Sequence, residues 1–256
     1  MILQSNQRHT ITCTGIIPVI KPKLTKALPK HNTEGCSPET IKSVQGREEF
    51  SELCINREKL LYQALPKDNP NILTCLTIID RGIHFPYLRH GDARCYLQEH
   101  SESLDAETRD RWIKNAIEAV ATIHVYGVVH ADISARIFLV ANNSFDSTII
   151  NDLESSVEEE TRYLAPSSSS LSPPRTIKTD LFALGSFIYK VSTGVRPDAE
   201  IADEEAEGLY TAKVFPSLNG LEYHDNISIC WNSKYSPVDV LRDDVPGRKG
   251  LNLEGP

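Results

Sequence analysis

Apolar and polar positions alternate with two different periods along this chain. Residues 9 to 28, "HTITCTGIIPVIKPKLTKAL", are short β-branched runs broken by Gly15 and Pro22, which predicts two or three strands. "PKHNTEGCSPET" is rich in Pro, Gly, Asn and Ser and reads as a loop. From Glu48 to Leu65 the period becomes helical, with Phe50, Leu53, Cys54, Leu60 and Leu61 on one face. "NILTCLTIID" and "IHFPYL" return to strand-like patterning, and the polar segment "RHGDARCYLQEH" follows. Residues 106 to 126 carry the clearest helical signal: Trp112, Ile113, Ala116, Ile117, Val120, Ile123 and His124 form a broad stripe. "IFLVANNSFDSTIIND" predicts a small hairpin. Residues 154 to 178 are polar and contain the low-complexity run "SSSSLSPP", expected to be mobile. "TDLFALGSFIYKVSTG" is apolar nearly all round and predicts a buried helix, with Asp180 placed to cap its free amides. A last helix is expected at "SPVDV", with Ser236 as cap, Pro237 first and Asp239 third. Strands come first and helices later, the order of an α+β chain.

Within this frame a few polar residues stand out. Glu58 lies four residues after Cys54 and three before Leu61, so it points to the apolar side of its helix. A carboxylate there is costly without a cation. Lys26 is the first candidate partner, with Lys23 and Lys21 behind it; the ordinary alternative is a Glu58 at the stripe's edge, reaching water. "VVHADISARIFLV" places His130 and Asp132 ahead of an apolar run. A lone H-x-D is frequent by chance, and a His before a strand is usually a satisfied core residue. Asp152 after "STII" is a usual turn residue, and "TRYLAPS" reads as loop.

Composition narrows the classes. The chain has 256 residues, enough for one large domain or two packed lobes, and 40% of them are hydrophobic. It carries 27 Lys and Arg against 35 Asp and Glu, a net charge of −8, which argues against a general nucleic-acid surface. The six cysteines, Cys13, Cys36, Cys54, Cys75, Cys95 and Cys230, form no CxxC pair and suggest reduced thiols. No secretory start and no apolar run of roughly 20 residues is present, so the expected setting is cytoplasmic or nuclear, neither secreted nor in a membrane.

Taken in order, an inward Glu, H-x-D, a strand-end Asp twenty residues later, Y-L-A-P and D-x-x-x-x-G resemble the protein kinase fold. "HADISARIFLV" is similar to H-R-D-L-x-x-x-N, "NDLE" stands where D-F-G belongs, and "YLAPS" where the segment ending A-P-E belongs. The resemblance runs from about residue 10 to residue 245 and looks closest to short divergent kinase-like proteins of fungi, whose helix also reads "TDLFALGS". It implies a bilobal α+β kinase-like fold: residues 1–84 a β-rich N-lobe with one helix, 85–92 a hinge, 93–245 a helical C-lobe and 246–256 a flexible tail. It implies ATP and Mg2+, or Mn2+, as cofactors and a protein substrate or binding partner. It further implies roles. Asp132 takes the proton of the incoming hydroxyl, and Lys26, held by Glu58, contacts the α- and β-phosphates. Asp152 holds the metal, with Glu154 as a substitute ligand. Pro86, Tyr87 and Leu88, within the hinge "HFPYL", meet adenine together with Leu139. His130 is structural, and Asp180 braces the catalytic loop through backbone amides.

The departures matter equally. Ile137 replaces the Asn that ligates a second metal ion, and a hydrocarbon cannot coordinate a hard cation. Ala131 replaces the Arg that reads a phosphorylated activation loop, Glu154 the Gly of D-F-G, and Ser167 the Glu of A-P-E. "TCTGIIPV" offers only Gly15 in place of a glycine-rich loop. Three readings follow: a protein kinase with a weakened metal site, a catalytically inactive pseudokinase serving as scaffold or allosteric module, and a small-molecule phosphotransferase. "YLAPS" followed by "TDLFALGS" speaks against the third.

Overall fold

The computed structural model describes residues 10–12, 15–17, 19–20, 23–141, 147–149 and 176–232. Strands β1 (Thr10–Thr12) and β2 (Gly15–Ile17) form an antiparallel pair. β3 (Val19–Ile20), β4 (Lys23–Ala27), β5 (Thr77–Ile79) and β6 (Gly82–Pro86) form one antiparallel sheet in the order β3-β4-β6-β5. β4 therefore lies inside the sheet, with Lys26 opposite Ile83 and Ala27 opposite Gly82. A third pair, β7 (Phe138–Val140) with β8 (Ser147–Ile149), is the hairpin the alternation predicts. The helices are α1 (Pro38–Ala64), α2 (Ala93–His100), α3 (Ala106–Val125), α4 (Ile177–Thr193), α5 (Asp203–Thr211) and α6 (His224–Trp231). The described architecture is mixed α+β, a small antiparallel sheet with mostly helices beside it, and is compatible with a kinase-like fold. No described helix is long and apolar enough to cross a membrane.

α1 departs from its expected form in two ways. It starts ten residues before Glu48, because Ser37 accepts the Thr40 amide and Pro38 takes the first turn, where its missing N–H costs nothing. It also buries a different face. Val44, Ser51, Ile55, Glu58 and Tyr62 point inward, while Phe50, Leu53 and Leu60 are exposed, Leu53 by 69% and Leu60 by 65%. The inward face docks through Tyr62, whose ring centroid is 5.3 Å from that of Phe85 on β6. From the flank, Lys59 Nζ donates to the Asp80 carbonyl at 2.5 Å, tying α1 to the β5–β6 turn.

α3 and α4 follow their patterns. Asp105 caps α3 through the Thr108 amide, and α4 ends on Gly194 at φ 84°, the left-handed exit that suits glycine. Their apolar faces make the main core, where Trp112, Ile117 and Val120 meet Phe182, Phe187 and Ile188. α6 closes on α4 at Gly185, where an added methyl would stand 2.7 Å from Cys230 Cβ. The neighbouring Trp231 Nε1 donates to Ser186 Oγ at 3.0 Å. A smaller cluster joins the sheet to the end of α3: Ile83, Phe85, Tyr62 and Leu73 pack with Ile123 and Val128. The short helix α2 lies in the segment read as polar, and α5 and α6 are helices that the pattern did not predict. The helix expected from Ser236 and the run "SSSSLSPP" lie outside the described residues.

β4 and β6 approach closely at one point. A Cβ on Gly82 would stand 2.2 Å from the Lys26 carbonyl oxygen and 2.9 Å from Ala27 Cα, both rigid backbone. Gly82→Ala is expected to force the two strands apart and cost about 1–3 kcal/mol, as overpacking does. The midpoint of thermal unfolding checks this; an unchanged midpoint would show that the strands yield freely.

Candidate functional site

Two buried charges meet between sheet and helix. Lys26 is 3% exposed and Glu58 2%, and Lys26 Nζ lies 2.8 Å from Glu58 Oε2. Strand pleating directs Lys26 to the α1 side of β4, and helical spacing puts Glu58 between Ile55 and Tyr62 on the docking face. Neither ion is tolerable there alone. Lys23, the weaker candidate, is exposed at the start of β4, and Lys21 lies outside the described residues. The half-buried Cys75 senses the same locus: burial, and after it the negative charge of Glu58, pushes its thiol pKa up.

A second assembly holds the segment after α3. Asp180 accepts the His130 amide on Oδ2 at 2.7 Å and the Ala131 amide on Oδ1 at 2.8 Å, and His124 Nε2 lies 2.9 Å from Oδ2. Asp180 does not cap its own helix as the sequence suggested. Thr176 does, by exchanging hydrogen bonds with Thr179, and Asp180 sits one residue further in, free to reach across to another segment. The clamp fixes an unusual backbone: Ala131 has φ 65°, a left-handed conformation uncommon for a residue with a Cβ. The His130 side chain is buried.

Beyond this turn the chain alternates between core and site. Ile133, Ala135 and Ile137 are buried in the main core. Asp132 and Arg136 are turned to each other, Arg136 Nη2 lying 3.5 Å from Asp132 Oδ2, with side chains 19% and 12% exposed for Arg136 and Asp132. Ile137 is 4% exposed and its amide donates to the Ser134 carbonyl at 3.2 Å. The position that would need a metal-ligating amide is thus a core position filled by hydrocarbon.

The segment after β6 is sewn to the same region. Leu88 and Leu139 both pack against the smaller cluster, beside Leu24 of β4. Leu139 bridges to Asp92, the Val140 amide donates to the Gly91 carbonyl at 2.9 Å, and the Arg94 amide donates to the Ala135 carbonyl at 3.1 Å. Pro86 ends β6 opposite Lys23, and Tyr87 and Leu88 are half-buried. The structure therefore joins Lys26 with Glu58, and Asp180 with the backbone of His130 and Ala131, and it packs Leu88 and Leu139 on one cluster. Asp152, Glu154, "NDLE" and "YLAPS" lie outside the described residues.

Two contributors escaped sequence reasoning. His124 belongs to the α3 stripe by spacing, yet its ring serves Asp180, a partner 56 residues away. Arg136 stands four residues after Asp132, a spacing that pairs side chains on one turn of helix, but a five-residue segment carries too weak a periodicity to reveal it. Among the described residues no group of three His, Cys, Asp or Glu side chains could hold a metal ion, and the carboxylates expected to ligate one, Asp152 and Glu154, lie outside those residues.

No protein-family model matches the chain. A comparison with curated proteins finds similarity to the dual specificity protein kinase Ttk of Danio rerio, 25% identical over 133 residues. The matched region is 45% of this chain and only 13% of that relative's length. The similarity supports a kinase-like superfamily, at that level and no finer.

Proposed function

We propose that the chain is a bilobal protein kinase-like domain of the short divergent type, which binds ATP and transfers its γ-phosphate to a protein hydroxyl. The observation that carries this reading is the buried Lys26–Glu58 pair at 2.8 Å. Burying both ions gains little stability over two apolar residues, so a paired lysine presented from inside a sheet is better explained by a phosphate it serves. In this reading residues 1–84 form the N-lobe, 85–92 the hinge, 93–245 the C-lobe and 246–256 the tail, in a cytoplasmic or nuclear protein. Pro86, Tyr87, Leu88 and Leu139 flank the adenine. Lys26 meets the α- and β-phosphates.

Asp132 is the base in this proposal. The substrate hydroxyl oxygen forms a bond to the γ-phosphorus, the bond from that phosphorus to the β,γ-bridging oxygen breaks, ADP leaves, and the hydroxyl proton passes to an Asp132 carboxylate oxygen. Asp180 and the buried His130 keep that carboxylate in register by holding the backbone just before it. Asp152 and Glu154 are the carboxylates proposed for Mg2+ or Mn2+. Ile137, buried in the core, favours a second reading, a pseudokinase that keeps the nucleotide pocket as a binding module.

Thermal unfolding with and without millimolar ATP, in Mg2+ or Mn2+, tests binding, and radiolabel incorporation tests transfer. We expect ATP to raise the unfolding midpoint of the wild type and of Asp132→Ala alike, and Asp132→Ala to lose incorporation by about 10²–10⁴-fold, the usual contribution of a positioned base. No stabilisation by ATP removes the nucleotide site. Equal incorporation by Asp132→Ala removes the base. Binding with no incorporation by wild type leaves the pseudokinase.

A further inference from the structure

We infer that Arg94, at the start of α2, is an anion subsite for the protein substrate, taking a carboxylate or phosphate group that lies near the accepting hydroxyl. The inference rests on the kinase-like reading above and adds a substrate preference to it. The first observation is an exception among the arginines. Of those half-buried among the described residues, Arg109 donates to the carbonyls of Leu104, Val191 and Ser101. Arg111 lies 3.6 Å from Glu107, Arg136 3.5 Å from Asp132 and Arg196 3.8 Å from Asp203. Arg94 has no carboxylate or carbonyl partner of this kind. Its Nε is buried without a hydrogen-bond partner, and the side chain it acts on is the thiol of the adjacent Cys95. A guanidinium keeps its charge at every accessible pH, and a shielded charge without a counter-ion is costly. An anion from outside the chain removes that cost.

The second observation is where Arg94 stands. Its amide donates to the Ala135 carbonyl at 3.1 Å, so its backbone is fastened to the segment that carries Asp132 three residues earlier. Ala93 and Leu97 on either side are buried, which fixes this turn of α2. The nearest acid in the chain does not serve it: Asp92 accepts the Cys95 amide on Oδ1 at 2.8 Å and turns Oδ2 to the Cys95 thiol at 3.6 Å. In the proposed function Lys26, on the sheet, serves the nucleotide phosphates. Arg94 belongs instead to the side that carries the proposed base, where the accepting hydroxyl must lie. The planar fork of an arginine matches a carboxylate or a phosphate group by two parallel bonds. With a net charge of −8 the chain as a whole does not attract acidic partners, so an acid preference must come from a local cation.

Fluorescence anisotropy of the full chain with a synthetic peptide set tests the inference without relying on turnover. Each peptide has a central Ser, Thr or Tyr, and Asp, phosphoserine, Asn or Lys is placed in turn at every flanking position. At one flanking position wild type is expected to bind the Asp and phosphoserine peptides about tenfold more tightly than the Asn peptide, the worth of one charge-assisted hydrogen bond. Arg94→Met should reduce that ratio to within about twofold. Arg94→Glu should invert it, so that Lys is preferred at the same position, which a merely structural role would not produce. Wild type that binds no acidic peptide more tightly than its Asn counterpart overturns the inference. So does a ratio unchanged in Arg94→Met, or an Arg94→Glu protein that still prefers Asp. Loss of the ATP-induced rise in unfolding midpoint in Arg94→Met would give the guanidinium to the nucleotide and overturn it as well. In each of these cases an ATP-induced rise in wild type leaves the proposed function standing, and its absence removes both.

Discussion

Asp180→Ala is expected to lower the stability of the fold by about 3–5 kcal/mol. The carboxylate is buried and has three partners, the amides of His130 and Ala131 and the ring of His124. Alanine removes all three acceptor contacts and supplies nothing in return. Each amide donated to a charged acceptor is worth about 1.5–3 kcal/mol, and a buried donor left without a partner carries its whole desolvation penalty. Ala131 adds to the loss, because its φ of 65° is a costly conformation that the clamp holds in place. In a chain of this size the change should lower the unfolding midpoint by roughly 6–20 °C. Asp180→Asn is the informative control. It keeps one acceptor oxygen and turns an NH2 towards a backbone N–H, so it should fall between wild type and alanine. A midpoint within about 2 °C of wild type for Asp180→Ala would show that the turn at His130 is held by something else.

The second large effect concerns Lys26 and Glu58, and its sign depends on whether one or both are changed. Lys26→Met alone strands the Glu58 carboxylate, and Glu58→Leu alone strands the ammonium. Each single change should cost about 3–5 kcal/mol, the penalty for breaking a buried pair. The double variant Lys26→Met/Glu58→Leu strands neither charge and fills the same volume with hydrocarbon, between Ile55 and Tyr62 on the inward face of α1 and with Ile83 opposite position 26. It should recover to within about 1 kcal/mol of wild type. Stability and function then separate, because the double variant should be as stable as wild type and yet gain no thermal protection from ATP. A denaturant double-mutant cycle, followed by nucleotide titration, measures both. Additive single costs would show that the two charges do not act as a pair, and ATP protection of the double variant would end the assignment of Lys26 to phosphate.

Much of this arrangement is legible in the chain. The α3 stripe and the nearly all-apolar α4 are long enough to average out exceptions, and the β7–β8 alternation is flanked by turn residues. The α1 face is instructive because Glu58 is inward as read, but for another reason. The larger apolar side chains, Phe50, Leu53 and Leu60, suggest a stripe that the structure leaves in solvent. Docking that stripe would leave Lys26 unpaired inside the sheet, at a cost of several kcal/mol. The observed rotation accepts exposed leucines to satisfy a buried ion. Helices α2 and α6, eight residues each, and α5, nine, are too short for a periodic signal and are stabilised by the surfaces they cover.

The chain by itself determined the order of strands and helices, the two long core helices and the residue types available for chemistry, because these depend on local period and composition. Only the tertiary structure decided which lysine meets Glu58, that Asp180 clamps a turn instead of its own helix, and that Arg136 leans on Asp132 while Ile137 enters the core. Those outcomes turn on the cost of a buried charge or amide without a partner. That cost falls on whichever residues the fold brings together, however far apart they stand in the chain.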